Sequence, residues 1–154
     1  ATAILSDLKC PFIINQNRYS IFDRTIENNA LKDTAYELKK GIIAFSPLAQ
    51  GLLTNRYLNG IPTDSRIATD GRFLKDSALT PEKLAQIQAL NVLAGERDQT
   101  LAEMALSWIL RDDKVTSVLI GASKPEQILD NIKIIGHTDF TEEELQKIET
   151  IVQG

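Results

Sequence analysis

Three short apolar runs constrain this chain more than anything else in it: "FIINQN" at 12–17, "GIIAF" at 41–45 and "TSVLIG" at 116–121. Each is compact and apolar, and none alternates apolar with polar residues as a half-exposed antiparallel strand does. Each therefore reads as a strand buried on both faces. The intervening segments carry helical patterns, which implies parallel strands joined by right-handed helical crossovers. The expected class is α/β.

The helices are marked by spacing and by their ends. In "ENNALKDTAYELKK", 27–40, Ala30, Leu31, Thr34, Ala35 and Leu38 recur at intervals of three and four, and Gly41 follows as the expected C-terminal cap. Thr80-Pro81 opens a second helix with Leu84, Ile87, Leu90 and Leu93 on its apolar face. Thr100 and Glu103 form a capping box ahead of Ala105, Leu106, Trp108, Ile109 and Leu110. Ser123 with Glu126, and Thr141 with Glu144, predict two more boxes, one before "QILDNIKII" and one before a terminal helix. Only 48–79 lacks a pattern. A loop of that length in a compact α/β unit is usually a functional lid or disordered, and Leu48, Leu52 and Leu53 predict that its first part packs down.

Composition removes several classes of function. At 154 residues, 43% apolar and 25% charged, the chain has the make-up of one globular domain. A net charge of -4 without any dense basic run gives no attraction to nucleic acid or anionic lipid. No stretch approaches the ~20 apolar residues of a membrane helix, and no basic start leads into a signal-like apolar region. One histidine and one cysteine, Cys10, cannot supply the usual zinc spacings, and the lone cysteine fits a reducing, cytoplasmic setting. Glycines fall in neither GxGxxG nor Walker spacing, and GxSxG is absent. "SDLK", 6–9, matches Ser-x-x-Lys without its companion motifs, and His137 in "GHTDFT" reads as a surface turn residue.

Two positions are more specific. "LIGASKPEQILDN" runs from an apolar strand through Gly121, read as a place of close backbone approach, to Ser123 and Lys124 at a helix start. Helix N–H groups beside a cation make a site for phosphate or carboxylate, while the plainer reading has Ser123 only capping its helix. Phe45 and Ser46 end the second strand on the rim where parallel α/β folds bind ligands, with Pro47 turning the chain; Phe45 also reads as a last core residue. Gln16 stands toward the end of the first strand in the same way.

Taken in order, "NQNRYSIFDR", "IIAFSPLAQGLLTNRY", "GIPTDSR" and "SVLIGASKPEQILDNI" resemble the C-terminal part of the aldo-keto reductase family, from about residue 12 to 152. The similarity is greatest to the branch holding potassium-channel β-subunits and bacterial reductases. It implies a (β/α)8 barrel binding NADP, of which this chain supplies strands six to eight and 48–79 a cofactor-covering loop. By that resemblance Gln16 bonds the nicotinamide carboxamide and Phe45 stacks on the ring. Ser46, Pro47, Leu48, Ala49 and Gln50 line the pyrophosphate, with Arg56 and Arg66 closing over it from the long loop. Gly121, Ser123, Gln127, Asp130 and Asn131 match the adenosine end, with Lys124 beside them.

Many reductases place a lysine where Ala122 stands and an arginine at Gln127. The uncharged pair weakens selection of the 2′-phosphate, so NADP is favoured and NAD stays open. The family's proton-donating tyrosine and its lysine, aspartate and histidine partners match no residue here; Tyr19, Tyr36 and Tyr57 occupy other positions. The resemblance thus implies a small carbonyl substrate for the parent enzyme and no turnover by this chain alone. Three strands cannot close a barrel, so the expectation is a fragment, with self-association through open edges as the alternative. A nucleotide-sensing module is the other reading of function.

Overall fold

The computed structural model describes residues 2–62 and 79–153. After an exposed helix α1 (Thr2–Asp7), the chain forms β1 (Ile14–Arg18), the short helices α2 (Thr25–Asn28) and α3 (Leu31–Glu37), and β2 (Gly41–Phe45). Two 3-10 turns, Ala49–Gly51 and Asn55–Tyr57, precede α4 (Pro81–Glu96), α5 (Leu101–Leu110), β3 (Ser117–Leu119), α6 (Pro125–Asn131), a further 3-10 turn at Ile132–Ile134 and α7 (Glu142–Gln153). The three strands form one parallel sheet in the order β1-β2-β3. The class is α/β, as the apolar runs require.

The core lies on one side of this sheet. Ile42 and Ala44 of β2 are buried against Ile87, Leu90, Leu93, Leu101, Met104, Ala105 and Trp108 from α4 and α5. The α5 helix is almost wholly interior, and its capping box forms as expected: the Thr100 N–H donates to Glu103 Oε2 at 2.7 Å and the Glu103 N–H to Thr100 Oγ1 at 3.2 Å. The Thr141 and Glu144 box at the start of α7 forms in the same way.

Three expectations about local structure give way. The strands are not buried on both faces: Ile14 is 42% and Leu119 55% exposed, because helices cover only the side carrying Ile42, Ala44 and Val118. The helix expected over 27–40 is broken at Ala30, which sits at φ 57 while Asn29 Oδ1 takes the Leu31 N–H at 3.0 Å. Gly41 is not a helix cap. Lys39, at φ 53, turns the chain, with Lys40 N–H bonded to the Ala35 carbonyl and Lys39 N–H to that of Tyr36. Glycine is needed at 41 for another reason: a Cβ there would lie 2.9 Å from Thr116 Oγ1 and 3.2 Å from Ile14 Cγ1, inside the sheet.

Candidate functional site

The uncovered face of the sheet carries two of the sequence-predicted residues, Gln16 and Phe45. Parallel register places Gln16 beside Ile43 and Arg18 beside Phe45, with Leu119 on the far side of Phe45. Because side chains alternate along a strand, Ile14, Gln16 and Arg18 share a face with Ile43, Phe45, Ser117 and Leu119, opposite the buried Ile42 and Ala44. Gln16 is exposed and Phe45 half-buried, so an amide and an aromatic plane lie diagonally across neighbouring strands on one open surface. Phe45 is therefore not part of the helix-covered core.

The chain leaves β2 through a strained turn. Ser46, Ala49 and Gln50 hold φ of 53°, 48° and 61°, a region that residues with a Cβ rarely occupy, and Gly51 follows at 96°. Such a conformation persists because the surroundings enforce it. Pro47, Leu52, Leu53 and Tyr57 are buried beneath the loop, Leu48 packs half-buried beside them, and Thr54 Oγ1 donates to the Gly51 carbonyl at 2.7 Å. The apolar residues of 48–53 thus pack down as expected. The loop's backbone donors are partly spent: the N–H groups of Ala49, Gly51, Leu52 and Leu53 all bond carbonyls within the loop. Its polar side chains meet instead, Gln50 Nε2 donating to Ser46 Oγ at 3.2 Å. Arg56 lies exposed in the next turn, and Arg66 falls outside the described residues.

The segment after β3 is organised differently. Gly121 is exposed, and among the described residues no atom lies within 4 Å of the position a Cβ would take, so none of them requires close backbone approach there. Ser123 is not the helix cap, and no Ser123–Glu126 box forms. Pro125 occupies the first helical position, which makes Lys124 the N-cap, and Gln127 turns back so that its Oε1 accepts the N–H of Ser123 at 2.8 Å, the N–H of Lys124 and the Ser123 hydroxyl. Asp130 pairs with Lys133 at 2.7 Å, Asn131 is buried, and Lys124 stays exposed beside Ser123. Among the described residues no group of histidine, cysteine, aspartate and glutamate side chains is arranged to hold a metal.

One feature behind the rim had no signal in the sequence. The Tyr19 N–H extends the β1–β2 ladder by bonding the Phe45 carbonyl at 3.3 Å, and the Tyr19 hydroxyl enters a buried cluster of charges. It donates to Glu27 and accepts from Lys32 Nζ at 3.2 Å and Arg111 Nη1 at 3.1 Å. Glu27 also takes Lys32 at 3.0 Å and Arg111 at 2.8 Å, and Lys32 reaches Asp112 at 2.6 Å. Burial pushes the Tyr19 hydroxyl well above the ordinary tyrosine range, an effect that Arg111 only partly offsets. Burial also raises Glu27, but hydrogen bonds from Tyr19, Arg111 and Lys32 outweigh it and hold the carboxyl down at about 2. The directly bonded partners lie as far apart as residues 19 and 111, so no local spacing announces them. His137, the only histidine, is exposed in a turn as expected.

The residues present suit a ligand with a planar ring, an amide-binding edge and anionic groups. Phe45 supplies the plane and Gln16 the amide, while Ser46 and Gln50 carry polar groups at the next turn and Arg56 and Lys124 carry positive charge. The family model for the Aldo/keto reductase family matches residues 1–153. L-glyceraldehyde 3-phosphate reductase of Escherichia coli (strain K12) is 45% identical over 95% of this chain and 43% of its own length. A probable voltage-gated potassium channel subunit beta of Oryza sativa subsp. japonica is 36% identical over 92% of this chain and 44% of its own. Among solved structures, aldo-keto reductase AKR11C1 from Bacillus halodurans in its holo form superposes with a TM-score of 0.69 at 27% identity, covering 97% of this chain and 46% of that one. Glycerol dehydrogenase AKR11B4 from Gluconobacter oxydans gives 0.70 at 26%, covering 90% and 42%. The chain spans less than half the length of each of these relatives.

Proposed function

Because this chain belongs to the aldo-keto reductase family, we propose that it forms the nucleotide-binding side of a cytoplasmic, NADP-dependent oxidoreductase that reduces small aldehydes or ketones to alcohols. Its strands are six to eight of a (β/α)8 barrel, and the site lies at their carboxyl ends, where such barrels bind phosphate. The observation that carries this reading is that Gln16 and Phe45 lie diagonally across neighbouring strands on the open sheet face, beside a loop held in a strained backbone.

The nucleotide, when bound, supplies the hydride. This chain's residues hold and orient it. Phe45 stacks on the nicotinamide and fixes which face meets the substrate, and Gln16 bonds the carboxamide. Ser46, Pro47, Leu48, Ala49 and Gln50 line the pyrophosphate, with Arg56 and Arg66 over it from the 48–79 loop. Gly121, Ser123, Lys124, Gln127, Asp130 and Asn131 surround the adenosine end. Gln127 is uncharged and already engaged with Ser123 and Lys124, so discrimination of NADP from NAD rests on Lys124. No residue here takes the proton-donor role, and the isolated chain is expected to be inactive.

Calorimetric titration of the chain with NADPH, and with NADH for comparison, tests the reading. Binding weakened about fivefold by Phe45→Ala supports it, since stacking of this kind is worth roughly 1 kcal/mol. A folded chain that gives no heat, or one indifferent to Phe45→Ala and Gln16→Ala, overturns it. A second reading is favoured by the similarity to a potassium channel subunit: the chain belongs to a module that senses nucleotide, in which case the protein exchanges cofactor slowly and turns over negligibly.

A further inference from the structure

The helices α4 and α7 run antiparallel, pinned at both ends and open in the middle. At one end Gln86 Nε2 donates to the Val152 carbonyl at 3.0 Å. At the other, Arg97 pairs with Glu144 at 2.6 Å while its guanidinium lies 3.7 Å over the Phe140 ring. Between these pins stand Ala89 and Thr150, side chains too short to fill the space between two helices. What results is a groove of about 520 Å³, walled in part by Val92 and Ile151. Val92 is 63% exposed, a large apolar side chain standing in water on the helical layer.

The rim is net acidic. Among the described lining residues Glu96, Glu142 and Glu143 face one cation, Lys147, which is held by Glu143 at 3.2 Å and Glu96 at 3.5 Å. We propose that this groove docks an amphipathic helix of a partner protein, apolar on one face and flanked by lysine or arginine. Aliphatic anchors at helical spacing fit the walls, and the carboxylates attract a basic flank while repelling an acidic one. Residues 143 to 151 span about 12 Å at 1.5 Å per residue, room for roughly two turns of such a helix. A second copy of this chain is a poor occupant, since its net charge of -4 has the same sign as the rim.

The test is fluorescence anisotropy of a labelled helical peptide with leucines at i, i+3, i+4 and i+7 and lysines on its flanks, against the same peptide with glutamates. The 154-residue chain is expected to bind the lysine form at least tenfold more tightly, with affinity falling as salt rises. Val92→Asp, and separately Glu142→Lys with Glu143→Lys, are expected to weaken it tenfold or more with an unchanged far-UV spectrum. All three positions are exposed, and the comparison of the two peptides on the wild-type chain stands whatever the variants do. Equal binding of both peptides, or binding of neither, overturns the proposal. So does a dimer in sedimentation that Val92→Asp dissolves, which assigns the groove to a second copy.

Discussion

The loops after β2 and β3 leave adjacent strand ends, yet one is held from beneath by buried side chains and the other lies exposed. Beneath the first lie Leu52, Leu53 and Tyr57, all buried, and its backbone is forced to positive φ at three residues with a Cβ. Every residue from Gly121 to Asp130 is exposed, and its order comes from the Gln127 carbonyl gathering Ser123 and Lys124. A site that spans both therefore has one preformed wall and one that costs ordering when a ligand arrives.

Removing the support under the first loop gives the largest effect. Leu53→Ala leaves a cavity in the core and is expected to cost roughly 3 kcal/mol in urea denaturation; a loss below about 1 kcal/mol would mean that the loop is not anchored there. The charged cluster behind the same rim comes next. Glu27 falls from its ordinary 4.5 to about 2 on folding, so its contribution is complete above about pH 4.5 and is lost as the pH drops toward 2. That contribution is roughly 3 kcal/mol at most, and Glu27→Gln is expected to flatten the acid limb of a stability–pH curve.

Glycine substitutions sharpen the contrast between the loops. Gly51→Ala forces a Cβ into φ 96 and is expected to destabilise by about 1–2 kcal/mol, whereas Gly121→Ala meets nothing within 4 Å and is expected to change stability by less than about 0.5 kcal/mol. Equal shifts in thermal melting for the two would erase the distinction. Gln127→Ala removes only the gathering carbonyl, at about 0.5–1 kcal/mol, and is expected to speed amide exchange at Ser123 and Lys124 alone.

Much of this was legible in the chain itself. Thr100 with Glu103, and Thr141 with Glu144, announce their helices because a capping box is local, and the apolar Leu52 and Leu53 announce a loop that packs down. Gln16 and Phe45 were placed on the rim, and strand alternation brings them to one open face. Burial was misread for β1 and β3 because an apolar run reports what a strand could cover, not whether anything lies against it. The break at Ala30 escaped because alanine favours the helix it interrupts, and Asn29 decides the matter through one side-chain bond. Lys124 displaced Ser123 as the cap because proline fixes the first helical position. Nothing local pairs Tyr19 and Glu27 with Arg111, which meet only once the chain has folded.

Trp108, the sole tryptophan, is fully buried with the guanidinium of Arg24 4.4 Å from its ring centroid, that of Arg111 3.7 Å away and the Tyr19 ring at 5.3 Å. Two cations bearing on an indole draw on its electrons, and a phenol at that distance passes its excitation to the indole before it can emit. Light absorbed by Tyr19 is thus expected to emerge from Trp108, whose emission colour reports on the two guanidinium groups packed against it.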